Sequence, residues 1–207
     1  MRQAMFVLKK KNLFNCLMIL FLFFFMGCGT IEVKKANPQP NVDLNQMDYT
    51  ISLEFGKNLK DTYTVPEKRG IRQVLVTEWK STIKTAFDNT FSDAFKIVDK
   101  DGQLKILIKD AYFEFVPGAV TASGGVVSVR PQLKYKVRLL DKDGKTLNKL
   151  TGTVQSINAL TRIDQTTASA GEVIEILFEK MVKKFFENVD KYNLEKENTA
   201  KEEKTQI

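Results

Sequence analysis

Side chains suited to chemistry are few in this sequence, and their spacing does not combine them. No histidine occurs in the 207 residues, which removes imidazole as general base, triad member and metal ligand. Asp110 and Glu114 fall on one face of an alternating stretch, as a carboxylate pair would. The pattern gives them no pocket, base or oxyanion feature, so they read as surface acids. "DKDG" occurs at 99–102 and again at 141–144, with the Asp spacing that opens a calcium loop. Neither copy continues to the later ligands and the closing Glu, so both read as turns. No catalytic residue, no metal ligand set and no cofactor is assigned.

Two groups are better suited to binding. Lys134, Lys136 and Arg138 form a basic stripe at two-residue spacing. Such a stripe fits anionic lipid headgroups or an acidic partner, and a solvated strand face is the plain alternative. Val120, Val126 and Val127 lie in a stretch from Pro117 to Val129 that also holds Gly118, Gly124 and Gly125. A glycine-bearing apolar loop on a rigid scaffold can enter a lipid surface or a partner, the plain alternative being a long hairpin connection.

The remaining reactive side chain is a thiol. The cysteines are Cys16 and Cys28. Cys28 ends the run "LFNCLMILFLFFFMGC", which follows Arg2, Lys9, Lys10 and Lys11 with no acidic residue among them. A positive start, a short apolar middle and a small residue at the end are the parts of a secretory signal. About 14 apolar residues from Leu13 to Met26 fall short of the roughly 20 that span a bilayer; an uncleaved anchor is the alternative. "FMGC" resembles the lipobox of bacterial lipoproteins through Gly27-Cys28, with Phe25 and Met26 in place of the usual Leu and small residue. The resemblance implies a diacylglyceryl group on the Cys28 sulfur, cleavage before it, and acylation of the new amine by a chain such as palmitate. Each buried CH2 contributes about 0.8 kcal/mol, and several chains together anchor a protein firmly.

With residues 1–27 read as signal peptide, the mature chain keeps about 180 residues and no free thiol. It must then stand on its hydrophobic core without a disulfide. The formal charge of +7 falls to about +3 once the leader's four positive charges are removed. The remaining Lys and Arg are interleaved with Asp and Glu, which argues against nucleic acid as a partner.

Residues 28–46 carry two prolines and little apolar periodicity. They read as a lipidated terminus and flexible tether, able to reach roughly 60 Å if fully extended. A folded domain is expected over 47–192 and a charged, disordered tail over 193–207. Tyr49, Ile51, Leu53 and Phe55 alternate as one face of a strand, and "TYTV" offers a second strand or an arm. Ile71, Leu75, Trp79, Ile83, Phe87 and Phe91 recur every four residues and predict a long amphipathic helix over about 67–95, opened by Thr64 and Glu67 at capping-box spacing. Strands come next: a short one near Lys96, a long one from about Leu104 to Val116, and a hairpin formed by "PQLKYKVRLL" and "KTLNKLTGTVQSI". Ser169 and Glu172 open a second amphipathic helix that runs to about residue 190.

One-faced strands and one-striped helices together predict an α+β fold. The expected architecture is a two-layer sandwich: one mainly antiparallel sheet with two long amphipathic helices on one face. The order of elements over about 104–190, with a lipobox upstream, resembles the small bacterial envelope lipoproteins of the YajG type. The lipopolysaccharide-assembly (LptE-like) and ABC-transport auxiliary lipoproteins share the general plan. The resemblance implies a non-enzymatic, membrane-anchored envelope component with another envelope protein or a lipid as partner. An exported lipid-transfer protein or hydrolase with a cavity between sheet and helices is the alternative. Gly29 after Cys28, where Asp favours inner-membrane retention, makes the cell outer membrane the expected location.

Overall fold

The computed structural model describes residues 30–67, 71–124, 126–160 and 165–187, with the side chains of 126 and 127 outside the description. Among these described residues are two sheets and two helices, in the order β1 (Ile31–Val33), β2 (Thr50–Phe55), β3 (Tyr63–Val65), β4 (Val74–Val76), α1 (Trp79–Phe91), β5 (Lys96–Ile97), β6 (Leu104–Val120), β7 (Val126–Asp141), β8 (Thr146–Gln155) and α2 (Thr166–Phe186).

The main sheet is five-stranded in the order β5-β2-β6-β7-β8. β2 pairs in parallel with both β5 and β6. β6, β7 and β8 form an antiparallel meander. Period two is explicit in β7: Leu133, Tyr135, Val137 and Leu139 are buried, and Lys134, Lys136 and Arg138 between them are exposed. The buried face receives both helices. Their stripes are Trp79, Ile83, Phe87 and Phe91 on α1, and Ile174, Leu177, Phe178, Met181 and Phe185 on α2. Phe91 touches Phe178 and Phe186 at ring-centroid distances of 6.3 and 5.4 Å, so the two helices meet through their aromatic rows. The layer between sheet and helices is filled by these rings together with Phe113 and Leu133.

The expectation of one sheet is corrected by a second, three-stranded sheet in the order β1-β4-β3. It exists because β2 stops pairing with β6 at Ile108. Gly56 donates its N–H to the Ile108 carbonyl at 2.8 Å, and a Cβ there would lie 2.7 Å from the Lys109 oxygen. The chain turns away at this close approach, and a register shift between Ile108 and Asp110 breaks the ladder. Beyond it, side chains satisfy the free edge of β6. Trp79 Nε1 donates to the Ala111 carbonyl at 2.7 Å. The Tyr63 hydroxyl accepts from the Phe113 N–H at 2.8 Å and faces the Phe113 carbonyl at 3.4 Å.

The predicted 67–95 helix is shorter than its pattern. Residues 74–76 are β4, and Glu78, at φ 52°, stands before the helix that begins at Trp79. Thr64, read as a cap, belongs to β3. α2 begins at Thr166, three residues before the expected cap; Ser169 Oγ donates to the Thr166 carbonyl inside the helix, and Glu172 accepts instead from Ser156 Oγ.

Residues 30–46, part of the 28–46 stretch read as a tether, are laid along the body. β1 pairs in parallel with β4. Ala36 N–H donates to Thr82 Oγ1, Gln39 N–H to Glu175, and Asn89 Nδ2 to the Pro38 carbonyl. Val42, Leu44 and Met47 pack against the core. The domain described by the structure thus begins near Ile31.

Candidate functional site

The basic stripe is positioned by the pleat of β7. Its neighbour β6 supplies acids: Lys136 lies opposite Asp110, and Lys134 opposite Tyr112, two residues from Glu114. Lys134 Nζ stands 2.6 Å from Glu114 Oε1, the lysine side chain 54% exposed and the glutamate 13%. Gln132 Nε2 donates to the same Glu114 oxygen at 2.8 Å, and Gln155 Nε2 donates to Gln132 Oε1. Glu114 is therefore the hub of a cross-strand network rather than half of an acid/base pair with Asp110. Lys134 is committed to that hub, while Lys136 and Arg138 remain exposed on the outer face.

Both "DKDG" segments are turns. Asp141 Oδ1 accepts from the main-chain N–H groups of Asp143 and Lys145 at 3.0 and 2.8 Å, and Gly144 takes φ 81°. Asp101, at φ 56°, lies 3.8 Å from Lys105 Nζ. Among the described residues, no three potential ligands cluster to hold a metal ion.

One hydroxyl–amine juxtaposition escaped the sequence reading. Ser52 on β2 pairs in register with Lys105 on β6. Ser52 is 0% exposed and its Oγ has no hydrogen-bond partner among the described residues; at that depth it meets no substrate. Lys105 faces Glu54 and Asp101 at 3.9 and 3.8 Å.

Three phenols titrate above their ordinary range. Burial is the main cause for Tyr63, opposed by its hydrogen bond to Phe113. Burial also raises Tyr112, with Glu114 adding to the effect, and it raises Tyr135. Tyr63 and Tyr112 stack at 5.2 Å. Tyr63 and Tyr112 stand at the sheet junction, whereas Tyr135 lies on the buried face of β7, where the period of two places it.

The 117–129 segment differs in form from its expectation. β6 continues to Val120 and β7 starts at Val126, which leaves a connection of only a few residues. Thr121 to Gly124 form its turn, with Gly124 at φ 84°. The result is a ribbon that outruns the sheet, since β8 pairs with β7 only as far as Gln132. Val120 is 60% exposed at its tip. The side chains of Val126 and Val127 lie outside the described residues, as does Cys28.

Loop 156–160 flanks the ribbon. Val129 and Leu160 exchange main-chain hydrogen bonds of 2.9 and 2.6 Å, and Ser156 N–H donates to the Pro131 carbonyl. Ile157 in this loop is 86% exposed. Sequence reading placed it at the end of a strand, but β8 stops at Gln155.

The concavities lie elsewhere. Two open surface hollows of about 410 and 400 Å³ run beside the 41–50 segment, one against Phe95 and the other against Val182 and Phe186. Among the described residues no helix is long and apolar enough to cross a membrane.

No family model matches this chain, and no curated protein matches it. Among solved structures it is similar to a DUF330 protein from Xanthomonas campestris, at 11% identity and a TM-score of 0.48 over 73% of this chain and 91% of that one. It is also similar to an uncharacterized lipoprotein B from Nitrosomonas europaea, at 16% identity and a TM-score of 0.43 over 72% and 86%. A minor lipoprotein from Acinetobacter baumannii is similar at 12% identity and a TM-score of 0.41, over 70% of this chain and 94% of that one.

Proposed function

We propose that this chain is a bacterial envelope lipoprotein, anchored through lipid on Cys28 and acting as a non-enzymatic accessory component. The observation that carries the reading is the placement of Gly27-Cys28. It closes an apolar run with a positive start, and β1 begins at Ile31, three residues later. The cleavage point expected before Cys28 lies just ahead of that first strand.

Two features support a binding rather than a catalytic role. Glu114, whose side chain is 13% exposed, is held by Lys134 and Gln132; a carboxylate fixed in a charge-assisted pair is a poor proton shuttle. The space between sheet and helices, where the lipid-transfer or hydrolase alternative would need a cavity, is occupied by Trp79, Phe87, Phe91, Phe113 and Phe178, each no more than 1% exposed. Gly29 after the cysteine favours the outer membrane as the destination, and the partner is another envelope protein or lipid.

The test is the intact mass of the protein extracted from membranes of a lipoprotein-processing bacterium. The expected product lacks residues 1–27 and carries a diacylglyceryl and an acyl group at position 28, and Cys28→Ala blocks both changes. A retained leader or an unmodified Cys28 refutes the anchor. Crosslinking the anchored form in cells and identifying what is captured then tests the accessory role, which an empty capture removes.

A further inference from the structure

The two large apolar side chains that stand exposed among the described residues, Val120 and Ile157, share one end of the molecule. A Cβ on Gly118, two residues before Val120, would lie 3.2 Å from the Ala159 side chain, two residues after Ile157. The ribbon tip and loop 156–160 are therefore neighbours. Neither carries a charge: "VPGAVTASGGVVSV" at 116–129 and "SINAL" at 156–160 contain no Asp, Glu, Lys or Arg, in a chain that is 28% charged.

The start of the folded body is at the same end. Ser156 Oγ donates to Glu172 in the first turns of α2 at 2.6 Å. At that helix start, Thr166 Oγ1 donates to the Glu32 carbonyl, and Thr167 Oγ1 accepts from Lys34 N–H. β1 is thus seated beside the N-terminus of α2 and the base of loop 156–160. The opposite end is charged. Leu104 pairs with Asp141, which places the turns "DKDG" at 99–102 and "DKDG" at 141–144 together, and Asn148 Nδ2 reaches the Lys184 carbonyl near the end of α2.

Resting on the Cys28 anchor proposed above, we infer that the end led by the uncharged ribbon tip and loop 156–160, with Val120 and Ile157, lies against the lipid bilayer, and that the domain is seated on the membrane in one orientation rather than held off it. Chain length forces the proximity. Three residue steps separate Cys28 from Ile31, which is fixed by its N–H bond to the Gln73 carbonyl; they span roughly 10 Å at most. A body held that close to the headgroups must present the end where its chain begins. The ribbon tip and loop 156–160 at that end carry two exposed apolar side chains and no charge, so seating these two loops against lipid desolvates no ion of their own, while Glu32, Lys34 and Glu172 sit at their base. Burial of exposed apolar area at the interface is the favourable term.

Three single-cysteine variants of the full chain test this: Val120→Cys, Ile157→Cys and, at the charged end, Lys100→Cys. Each replaces an exposed side chain. In the lipidated protein the Cys28 sulfur is a thioether and Cys16 has left with the leader, so only the introduced thiol takes an environment-sensitive fluorophore. The proteins are purified from membranes, checked by intact mass, and placed in phosphatidylcholine vesicles containing a lipid-borne quencher. Labels at 120 and 157 are expected to be quenched several-fold more than the label at 100. Equal quenching at all three sites, or stronger quenching at 100, overturns the orientation while a lipidated mass leaves the anchor standing. A label at 120 that stays in water in these vesicles assigns that end to some other occupant and also overturns the inference. A mass with bare Cys28 removes the anchor, and the inference with it.

Discussion

Single side chains decide how the two sheets join. The Tyr63 hydroxyl is both acceptor and donor for the main chain of Phe113, and Trp79 Nε1 serves Ala111. These bonds replace a sixth strand on the edge of β6, where unpaired main-chain groups would otherwise be buried. Tyr63→Phe keeps the ring stack on Tyr112 but leaves the Phe113 N–H without its acceptor. The expected cost is about 1–3 kcal/mol, the usual penalty for an orphaned buried donor, measured by urea denaturation. The same hydroxyl makes stability depend on pH. Burial raises its pKa above the ordinary 10.0, so below that value the phenol is protonated in both states and its contribution is fully present. Above it the unfolded chain releases a proton that the folded chain keeps, and stability falls as pH rises. Wild type should lose more stability than Tyr63→Phe between pH 8 and pH 10.5, with Tyr112 and Tyr135 leaving a residual slope in both. On the outer face, Lys134→Gln should cost about 1–3 kcal/mol, because it strips the charged partner from a carboxylate that is only 13% exposed. Lys134→Glu should cost more, because it sets a second carboxylate against Glu114; thermal melting of the two variants checks the order. Charge reversal at Lys134 is therefore a poor probe of partner binding, and Lys136→Gln with Arg138→Gln is the cleaner pair.

At the scale of elements, the meander was legible and the small sheet was not. β7 declares itself because one face is buried and the other wet, so Leu133 to Leu139 alternate with Lys134 to Arg138. β1, β3 and β4 have three residues each, too few for a period of two to show. Ile71, Leu75 and Trp79 also sit four apart, a spacing that suits a helix. The helical reading of 71–78 fails because Val74–Val76 gains two strand partners, β3 shortly before it and β1 far back in the chain, and β-branched valine fits that setting. Local pattern cannot report a partner some 40 residues away. The same blindness made a tether of 28–46, whose prolines and polar residues hide hydrogen bonds to Thr82, Glu175 and Asn89. Among the candidate binding residues, exposed Val120 was foreshadowed by the surrounding glycines, whereas Ile157 looked like the last apolar position of a strand. The arm's contribution can be measured. A chain beginning at residue 48 loses Val33, 0% exposed, and Ile31, 8% exposed, from the core, each worth about 1.5–3 kcal/mol. It also strips one side of β4. Compared with a chain beginning at residue 30, it is expected to be less stable by at least about 3 kcal/mol in urea denaturation, a large share of the 5–15 kcal/mol typical of a domain. Equal stability would show that the arm is only draped on the body.

For the molecule as a whole, the loops at the two ends differ in charge. The turns at 99–102 and 141–144 are acidic and basic at one end, and the ribbon tip and loop 156–160 are uncharged at the other. Because β1 enters at the end that bears the ribbon tip and loop 156–160, the anchor and the apolar tips act together. The tips alone expose few apolar side chains, too little for firm binding to a bilayer; the lipid on Cys28 supplies affinity and the short link to Ile31 supplies orientation. This division predicts the effect of a longer link. Inserting about 20 Gly and Ser residues between Thr30 and Ile31 adds chain ahead of the first strand. The melting temperature should stay within about a degree of the parent, since no packed residue moves. The effective concentration of the tips at the bilayer falls steeply as a flexible linker lengthens, so quenching of a label at Val120→Cys should drop toward that at Lys100→Cys. If quenching persists undiminished, the tips bind lipid without the leash, and orientation is written in the loops rather than in the distance from Cys28 to β1.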